Sequence, residues 1–121
     1  MNEKDLQEKV SKYLKSIGFW VYRPNERMRK GIPDILAVRD GAAYAYELKY
    51  TNLRKDGVLY LSHNVSAIQV ATLFEIADKG GKVGIIIGFE KDVYVFFPEK
   101  VGTIKEVRME ELLPLEEYFD S

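Results

Sequence analysis

Three side chains in the first half of the chain, Asp34, Glu47 and Lys49, have the types and the spacing needed for metal-assisted chemistry. Between them lies Asp40-Gly41, a dipeptide typical of a two-residue hairpin turn, which fixes the register of the flanking strands. That register places Asp34 directly across from Glu47, and directly opposed residues share a face of the sheet. Lys49 lies two residues beyond Glu47, so it shares that face as well.

Two opposed carboxylates repel each other and require a compensating positive charge. Lys49 supplies part of that charge, and a divalent cation would supply more. Oxygen-only ligands favour Mg²⁺ or Mn²⁺. The spacing leaves a second interpretation open, in which Asp34, Glu47 and Lys49 form an ion cluster that only stabilises the edge of a sheet.

Hydrophobic periodicity predicts the elements that position these side chains. The order is αβββαββ, an α/β fold with a central mixed sheet flanked by helices. The predicted helices cover 3–17 and 65–77, and the predicted strands cover 19–23, 35–39, 42–49, 83–89 and 93–97. A polar, basic loop covers 24–33, a short strand at 58–61 interrupts the connection 50–63, and weak helical turns are expected at 109–113 and 115–119.

Length and composition restrict the class of protein. The chain has 121 residues, which predicts a single domain over 1–121. It has no Cys and one His, which excludes disulfide scaffolds, thiolate zinc sites and multi-His metal sites. The charged first ten residues do not resemble a signal peptide, and the longest apolar run is too short to cross a bilayer. We therefore expect an intracellular, cytoplasmic protein.

The net charge is −1, but it is unevenly distributed. Residues 106–121 hold six acidic residues and one basic residue, which leaves residues 1–105 with a net charge of +4. Positive charge is concentrated in two groups. The first contains Arg23, Arg27, Arg29 and Lys30, and the second contains Lys49, Arg54 and Lys55. Local basic patches bind phosphates even on a nearly neutral chain. Solvated loop charge is the alternative interpretation.

The segment Pro33-Asp34, followed by Glu47-Leu48-Lys49, resembles the signature of the PD-(D/E)xK nuclease superfamily. The similarity extends over nearly the whole chain, through segments 3–7, 18–23, 61–70, 80–81, 97–100 and 113–117. The sequence most resembles archaeal-type Holliday junction resolvases, and it is also similar to the small viral-type VRR nucleases.

This resemblance implies a restriction-endonuclease-like core and Mg²⁺-dependent hydrolysis of phosphodiester bonds in DNA, with Mn²⁺ as a substitute. By analogy, Asp34, Glu47 and the backbone carbonyl of Leu48 would hold the metal. Lys49 would orient the attacking water and neutralise charge in the transition state.

The same resemblance implies an active-site residue on the N-terminal helix. At 100° per residue, Glu3 lies about 35° from the centre of the apolar face and Glu8 about 175° away. We therefore assign a catalytic and metal-binding role to Glu3, with Gln7 as an auxiliary residue. Alignment with the resolvases favours Gln7 or Glu8 instead. Glu3 is also explained as a first-turn acid stabilised by the helix dipole.

The resemblance and the local charge also suggest side chains that contact DNA. Gln69 is expected to bond to Lys49 or to a water on the metal, with an exposed helix position as its alternative. Ser62 has a second interpretation as a cap at the start of a turn. The predicted phosphate contacts are Arg23, Arg27, Arg29, Lys30 and Ser62.

The function predicted from these features is that of a Holliday junction resolvase. Two symmetric cuts in a four-way junction require a homodimer. We expect its surface to include the C-terminal apolar residues Leu112, Leu113, Leu115, Tyr118 and Phe119, or the outer strand 93–97. The alternatives are a nickase, flap or single-strand nuclease of the same superfamily, and a DNA-binding subunit without catalytic activity.

Overall fold

The computed structural model describes residues 1–24 and 31–120. A six-stranded mixed sheet is its centre, and a three-stranded sheet lies beside it. Within the described ranges, no helix is both long enough and apolar enough to cross a membrane. The helices are α1 (Glu3–Ser16), α2 (Ala67–Asp78) and α3 (Leu115–Asp120). The central sheet has the spatial order β1 (Trp20–Tyr22), β2 (Ile35–Arg39), β3 (Ala42–Thr51), β6 (Lys82–Phe89), β7 (Asp92–Phe96), β9 (Leu113–Pro114), and the second sheet has the order β4 (Arg54–Lys55), β5 (Val58–Val65), β8 (Ile104–Arg108).

The hairpin between β2 and β3 has the predicted register. Arg39 pairs with Ala42, and four residues further back Ile35 pairs with Tyr46. On its other side β3 runs parallel to β6, a strand buried from Gly84 to its end. A strand with parallel or mixed neighbours and both faces covered reads as a continuous apolar run, which explains the composition of β6.

The two faces of the central sheet carry separate cores, and we name each face after its helix. On the α1 face, α1 and α3 cover Tyr46 and Leu48 of β3. On the α2 face, α2 and the second sheet cover Ala45. Because side chains alternate along a strand, Glu47 and Lys49 belong to the α2 face. The sequence prediction of a mixed sheet flanked by helices is confirmed.

Several predicted boundaries are wrong where short strands depend on distant partners. The second helix begins at Ala67 rather than residue 65, because Val65 is the last residue of β5. β5 occupies residues 58–63 of the predicted connection 50–63, and β8 pairs with it through contacts such as Leu59 with Val107. Strands β4, β8 and β9 were not predicted, because each is short and lacks a periodic apolar pattern of its own.

The C-terminal segment packs within the molecule, which corrects its predicted role as an exposed dimer surface. Leu115 is buried, and Tyr118 and Phe119 pack against the α1-face core. Leu112 packs against the α2-face core. The strand predicted to be outermost, β7, pairs with β9 at Tyr94 and Val95, so β9 rather than β7 is the outermost strand there. Of the five apolar residues proposed for that surface, only Leu113 is exposed.

The start of α1 lies directly over the sheet at Gly88. A Cβ atom added there would lie 2.9 Å from Cδ1 of Leu6 and 3.1 Å from Cδ2 of Tyr50. Leu6 is fully buried, so its side chain has little room to move. The missing side chain at Gly88 therefore sets how closely the first turn of α1 approaches the carboxyl ends of β3 and β6.

We expect Gly88→Ala to lower the free energy of unfolding by about 1–3 kcal/mol, because the added methyl group overpacks this contact. Urea unfolding followed by circular dichroism measures the change. Gly102→Ala is the matched control, since a Cβ atom there meets nothing within 4 Å. Equal stability of the two variants would contradict the close approach of α1.

Candidate active site

Asp34 and Glu47 meet where the β2–β3 pairing ends. Extending the observed register by one residue beyond Ile35 and Tyr46 places these two residues opposite each other, as the sequence predicts. Oδ2 of Asp34 accepts a hydrogen bond of 2.8 Å from the backbone N–H of Leu48. This bond fixes the Asp34 carboxylate beside Glu47 on the α2 face.

The backbone carbonyl of Leu48 lies beside Asp34, and the residue before Asp34 is Pro33. Pro33 lies outside the β2–β3 ladder, while the N–H of Leu48 points to Asp34. A proline has no N–H to donate, so it cannot close the pair with the Leu48 carbonyl. The N–H and C=O of one residue in a strand point to the same side. The Leu48 carbonyl is therefore directed towards the Asp34 side of β3.

Glu47 is a buried carboxyl group with incomplete hydrogen bonding. Its side chain is 2 % exposed. Oε1 accepts a hydrogen bond of 3.1 Å from Nε2 of Gln69, while no donor among the described residues reaches the buried Oε2. A buried polar atom without a partner is costly, and native structures contain few of them.

The surroundings of Glu47 disfavour its charged form. The pKa of Glu47 is raised to about 10. Burial is the largest cause, and the neighbouring Asp34 carboxyl group contributes by hydrogen bonding to the neutral form and by charge repulsion. Lys49 lowers this pKa, and Glu3 contributes a smaller increase. An additional positive charge would therefore be needed to hold Glu47 as a carboxylate at neutral pH.

Gln69 is held in place by the first turn of α2. Its Oε1 accepts a hydrogen bond of 2.8 Å from the N–H of Ser66, and its own N–H donates to Oγ of Ser66. This capping box leaves Nε2 to bond to Glu47. The side chain of Gln69 thus bonds to Glu47 rather than to Lys49. The spacing Ser66 to Gln69 is the sequence signal for this arrangement, which the sequence analysis missed.

Ser62, the cap proposed from sequence, lies inside β5 and is exposed. The cap of the following helix is Ser66, so the alternative role of Ser62 as a helix or turn cap is wrong. Its contact with DNA stays a prediction.

The N-terminal helix presents Glu3 and Gln7 towards the sheet. Both are half-buried, whereas Glu8 is exposed, as the helical angles predict. No group of three or more His, Cys, Asp or Glu side chains within residues 1–24 and 31–120 is arranged to hold a metal ion. Glu3 therefore does not form such a group with Asp34 and Glu47, and its role as a ligand stays a prediction.

Lys49 is half-buried, and its positive charge lowers the pKa of Glu47 without a direct contact. In the part of the chain that the structure describes, the one ion pair within 4.0 Å joins Arg39 to Asp40. Lys49 thus forms no close ion pair with either carboxylate there. This geometry does not favour the alternative in which the three residues are only a structural ion cluster.

The predicted basic contacts are only partly described. Arg23 directly follows β1 and is exposed, and Arg54 and Lys55 are exposed on β4. Arg27, Arg29 and Lys30, together with most of the predicted loop 24–33, lie outside the described residues.

Comparison with solved structures identifies the fold. Hjc, a Holliday junction resolvase from the archaeal hyperthermophile Archaeoglobus fulgidus, superposes with a TM-score of 0.69 at 20% identity, over 95% of this chain and 98% of that one. A VRR_NUC domain superposes with a TM-score of 0.51 at 20% identity, over 72% and 84% respectively. No protein-family model and no curated protein matches the chain. The chain therefore has the fold that the sequence resemblance predicts.

We expect Glu47→Gln to stabilise the metal-free protein at high pH. The folded-state pKa of about 10 lies above the ordinary value of 4.5, so the unfolded chain ionises Glu47 first and the free energy of unfolding falls as pH rises between these values. The variant removes this loss, which amounts to roughly 5 kcal/mol at pH 8.

Thermal unfolding in EDTA at pH 4, 6 and 8 measures this effect, with the exposed Glu75→Gln on α2 as control. The Tm difference between Glu47→Gln and the wild type is expected to increase with pH. A difference that is constant over this range would show that Glu47 is not held neutral.

Proposed function

We propose that this protein is a metal-dependent DNA endonuclease. The observation that carries the proposal is the Oε2 atom of Glu47, which is buried beside the Asp34 carboxyl group and has no hydrogen-bond donor among the described residues. A buried carboxyl oxygen without a partner lowers stability, so an apolar residue at this position would make the protein more stable. Proteins retain such costly groups mainly where function requires them. The shared fold of a nuclease, Hjc, agrees with this proposal.

The donor atoms at this site fit a hard divalent cation. Asp34, Glu47 and the Leu48 carbonyl offer only oxygen atoms, which suit Mg²⁺ or Mn²⁺. When bound, such an ion activates water as a nucleophile and offsets the negative charge of the phosphate. Its positive charge would also return Glu47 to its ionised form.

The protein groups around the carboxylates have separate tasks in this proposal. The Leu48 N–H holds Asp34 in place, and Gln69, itself fixed by Ser66, orients Glu47. Lys49 lies on the same face, and no carboxylate of residues 1–24 and 31–120 forms a close ion pair with it. Its ammonium group is thus available to orient the attacking water and to neutralise the charge that develops on the phosphate.

A four-way DNA junction is the proposed substrate, on the basis of the fold shared with Hjc over nearly both chains. Cutting such a junction symmetrically requires two active sites, and hence a homodimer. A nickase or flap nuclease is the second candidate, since the fold is also shared with a VRR_NUC domain and since Glu3 is half-buried at the start of α1.

The decisive test is cleavage of labelled DNA. A four-way junction, a flap, a plain duplex and a single strand are incubated with the protein in Mg²⁺ and in EDTA. We expect paired symmetric cuts in the junction, and a loss of at least about 100-fold in rate for Asp34→Ala and Glu47→Ala. The exposed Glu75→Ala serves as control.

Cleavage of flaps or single strands with the junction spared would support the second candidate. DNA binding without cleavage of any substrate would support the non-catalytic alternative. A monomer by light scattering at the assay concentration would contradict junction resolution.

Variants on α1 test the helix residue. We expect Glu3→Gln to reduce the cleavage rate by about 10-fold or more, because it removes a charge close to Glu47, and Glu8→Gln to have little effect because that side chain points to solvent. Rates at several Mg²⁺ concentrations separate weaker metal binding from slower chemistry. The reverse ranking would assign the role to Glu8.

A further inference from the structure

Two aromatic side chains on β1 are exposed to solvent. Trp20 is 63 % exposed and Tyr22 is 49 % exposed. Their rings are nearly parallel, with centroids 6.1 Å apart and an interplanar angle of 17°. Val21, between them, packs on the α1 face, so Trp20 and Tyr22 belong to the α2 face.

This aromatic pair lies beside the candidate active site. Trp20 pairs with Val38 and Tyr22 with Leu36, and Leu36 is two residues from Asp34 on the same face. From strand spacing and rise, the backbone at Tyr22 is about 8 Å and that at Trp20 about 14 Å from the backbone at Asp34. A DNA strand with one phosphate at the Asp34 and Glu47 carboxylates can therefore also contact Trp20 and Tyr22.

The size of this surface favours a nucleotide over a second protein molecule. A fully buried aromatic side chain contributes about 150–250 Å². Trp20 and Tyr22, each about half exposed, therefore offer roughly 150–250 Å² together. A stable protein interface requires about 800 Å² from each partner. The exposed Arg23, next to Tyr22, adds a positive charge suited to a phosphate.

We propose that Trp20 and Tyr22 form a stacking platform for unpaired bases of the substrate. This inference rests on the proposed nuclease function and deepens it. Aromatic side chains bind bases whose flat faces are free, whereas paired bases inside a duplex are covered by their neighbours. At 3.4 Å per nucleotide in B-form DNA, the platform lies within about four nucleotides of the scissile phosphate. The platform therefore requires unpaired bases that close to the cut. A flap or a single strand, the second candidate substrate, provides them, whereas the paired arms of a four-way junction do not.

Trp20 provides a direct signal for the test, because it is the only tryptophan in the chain. The full chain in EDTA, which prevents cleavage, is titrated with end-labelled DNA. The probes are a plain duplex, a duplex with a single-stranded arm, and the same armed duplex with abasic sites throughout the arm. Anisotropy of the label reports binding, and Trp20 emission reports stacking.

We expect the armed duplex to quench Trp20 emission at saturation, and the abasic arm to bind by charge without that quenching. Trp20→Ala is expected to weaken binding of the armed duplex by about 10-fold, and Trp20→Phe to retain most of the affinity. Val38→Ala is the matched control, since Val38 is exposed on the same face. Circular dichroism verifies that each variant is folded.

Each other outcome overturns the inference. Equal quenching by the abasic arm would show that no base stacks on Trp20. DNA that binds and is cleaved in Mg²⁺ without any change in Trp20 emission would overturn the platform alone and leave the nuclease function intact. Absence of DNA binding in every arm would overturn both. A dimer of the wild type that Trp20→Ala converts to monomers would assign the surface to a second copy of the chain.

Discussion

The carboxyl group of Glu47 is buried next to another carboxyl group, in a strand that is apolar or aromatic from Ala42 to Tyr46. The cost of that burial explains the arrangement around it. The hairpin register sets Asp34 opposite, the Leu48 N–H restrains Asp34, and the capping box of α2 directs an amide towards Glu47. These contacts leave the buried Oε2 atom of Glu47 without a hydrogen-bond partner among the described residues, and it is this atom that the proposed cation would satisfy.

The two faces of the central sheet have different contents: the α1 face is a packed aromatic core, and the α2 face carries the candidate active-site residues. The α1 face is closed by aromatic contacts, among them Phe19 against Tyr44 at 4.9 Å and Phe119 against Phe19 at 5.4 Å. The α2 face carries the carboxylates, Lys49 and the exposed aromatic pair. The first turn of α1 packs where Gly88 permits the close approach of Leu6, and Glu3 in that turn acts on Glu47 of the α2 face.

Local signals were sufficient to predict the centre of the fold and of the site. Asp40-Gly41 fixed the hairpin, and from it followed the opposition of Asp34 and Glu47. The partner of Gln69 could not be predicted in this way, because it depends on how α2 packs against β3. Likewise β8 is a strand only because β5 lies beside it, and the C-terminal apolar residues look exposed until the α1-face core is known. Burial by distant segments is not encoded in any one window of sequence.

The hairpin also has a consequence for the order in which the protein folds. Hairpins form from local contacts, whereas the parallel pairing of β3 with β6 requires a connection of about thirty residues to close. Asp34 and Glu47 can thus meet while both are still hydrated. Their desolvation is deferred to the later step, when α2 and β6 dock. The repulsion between the two carboxylates is therefore weakest at the stage when the chain must first bring them together.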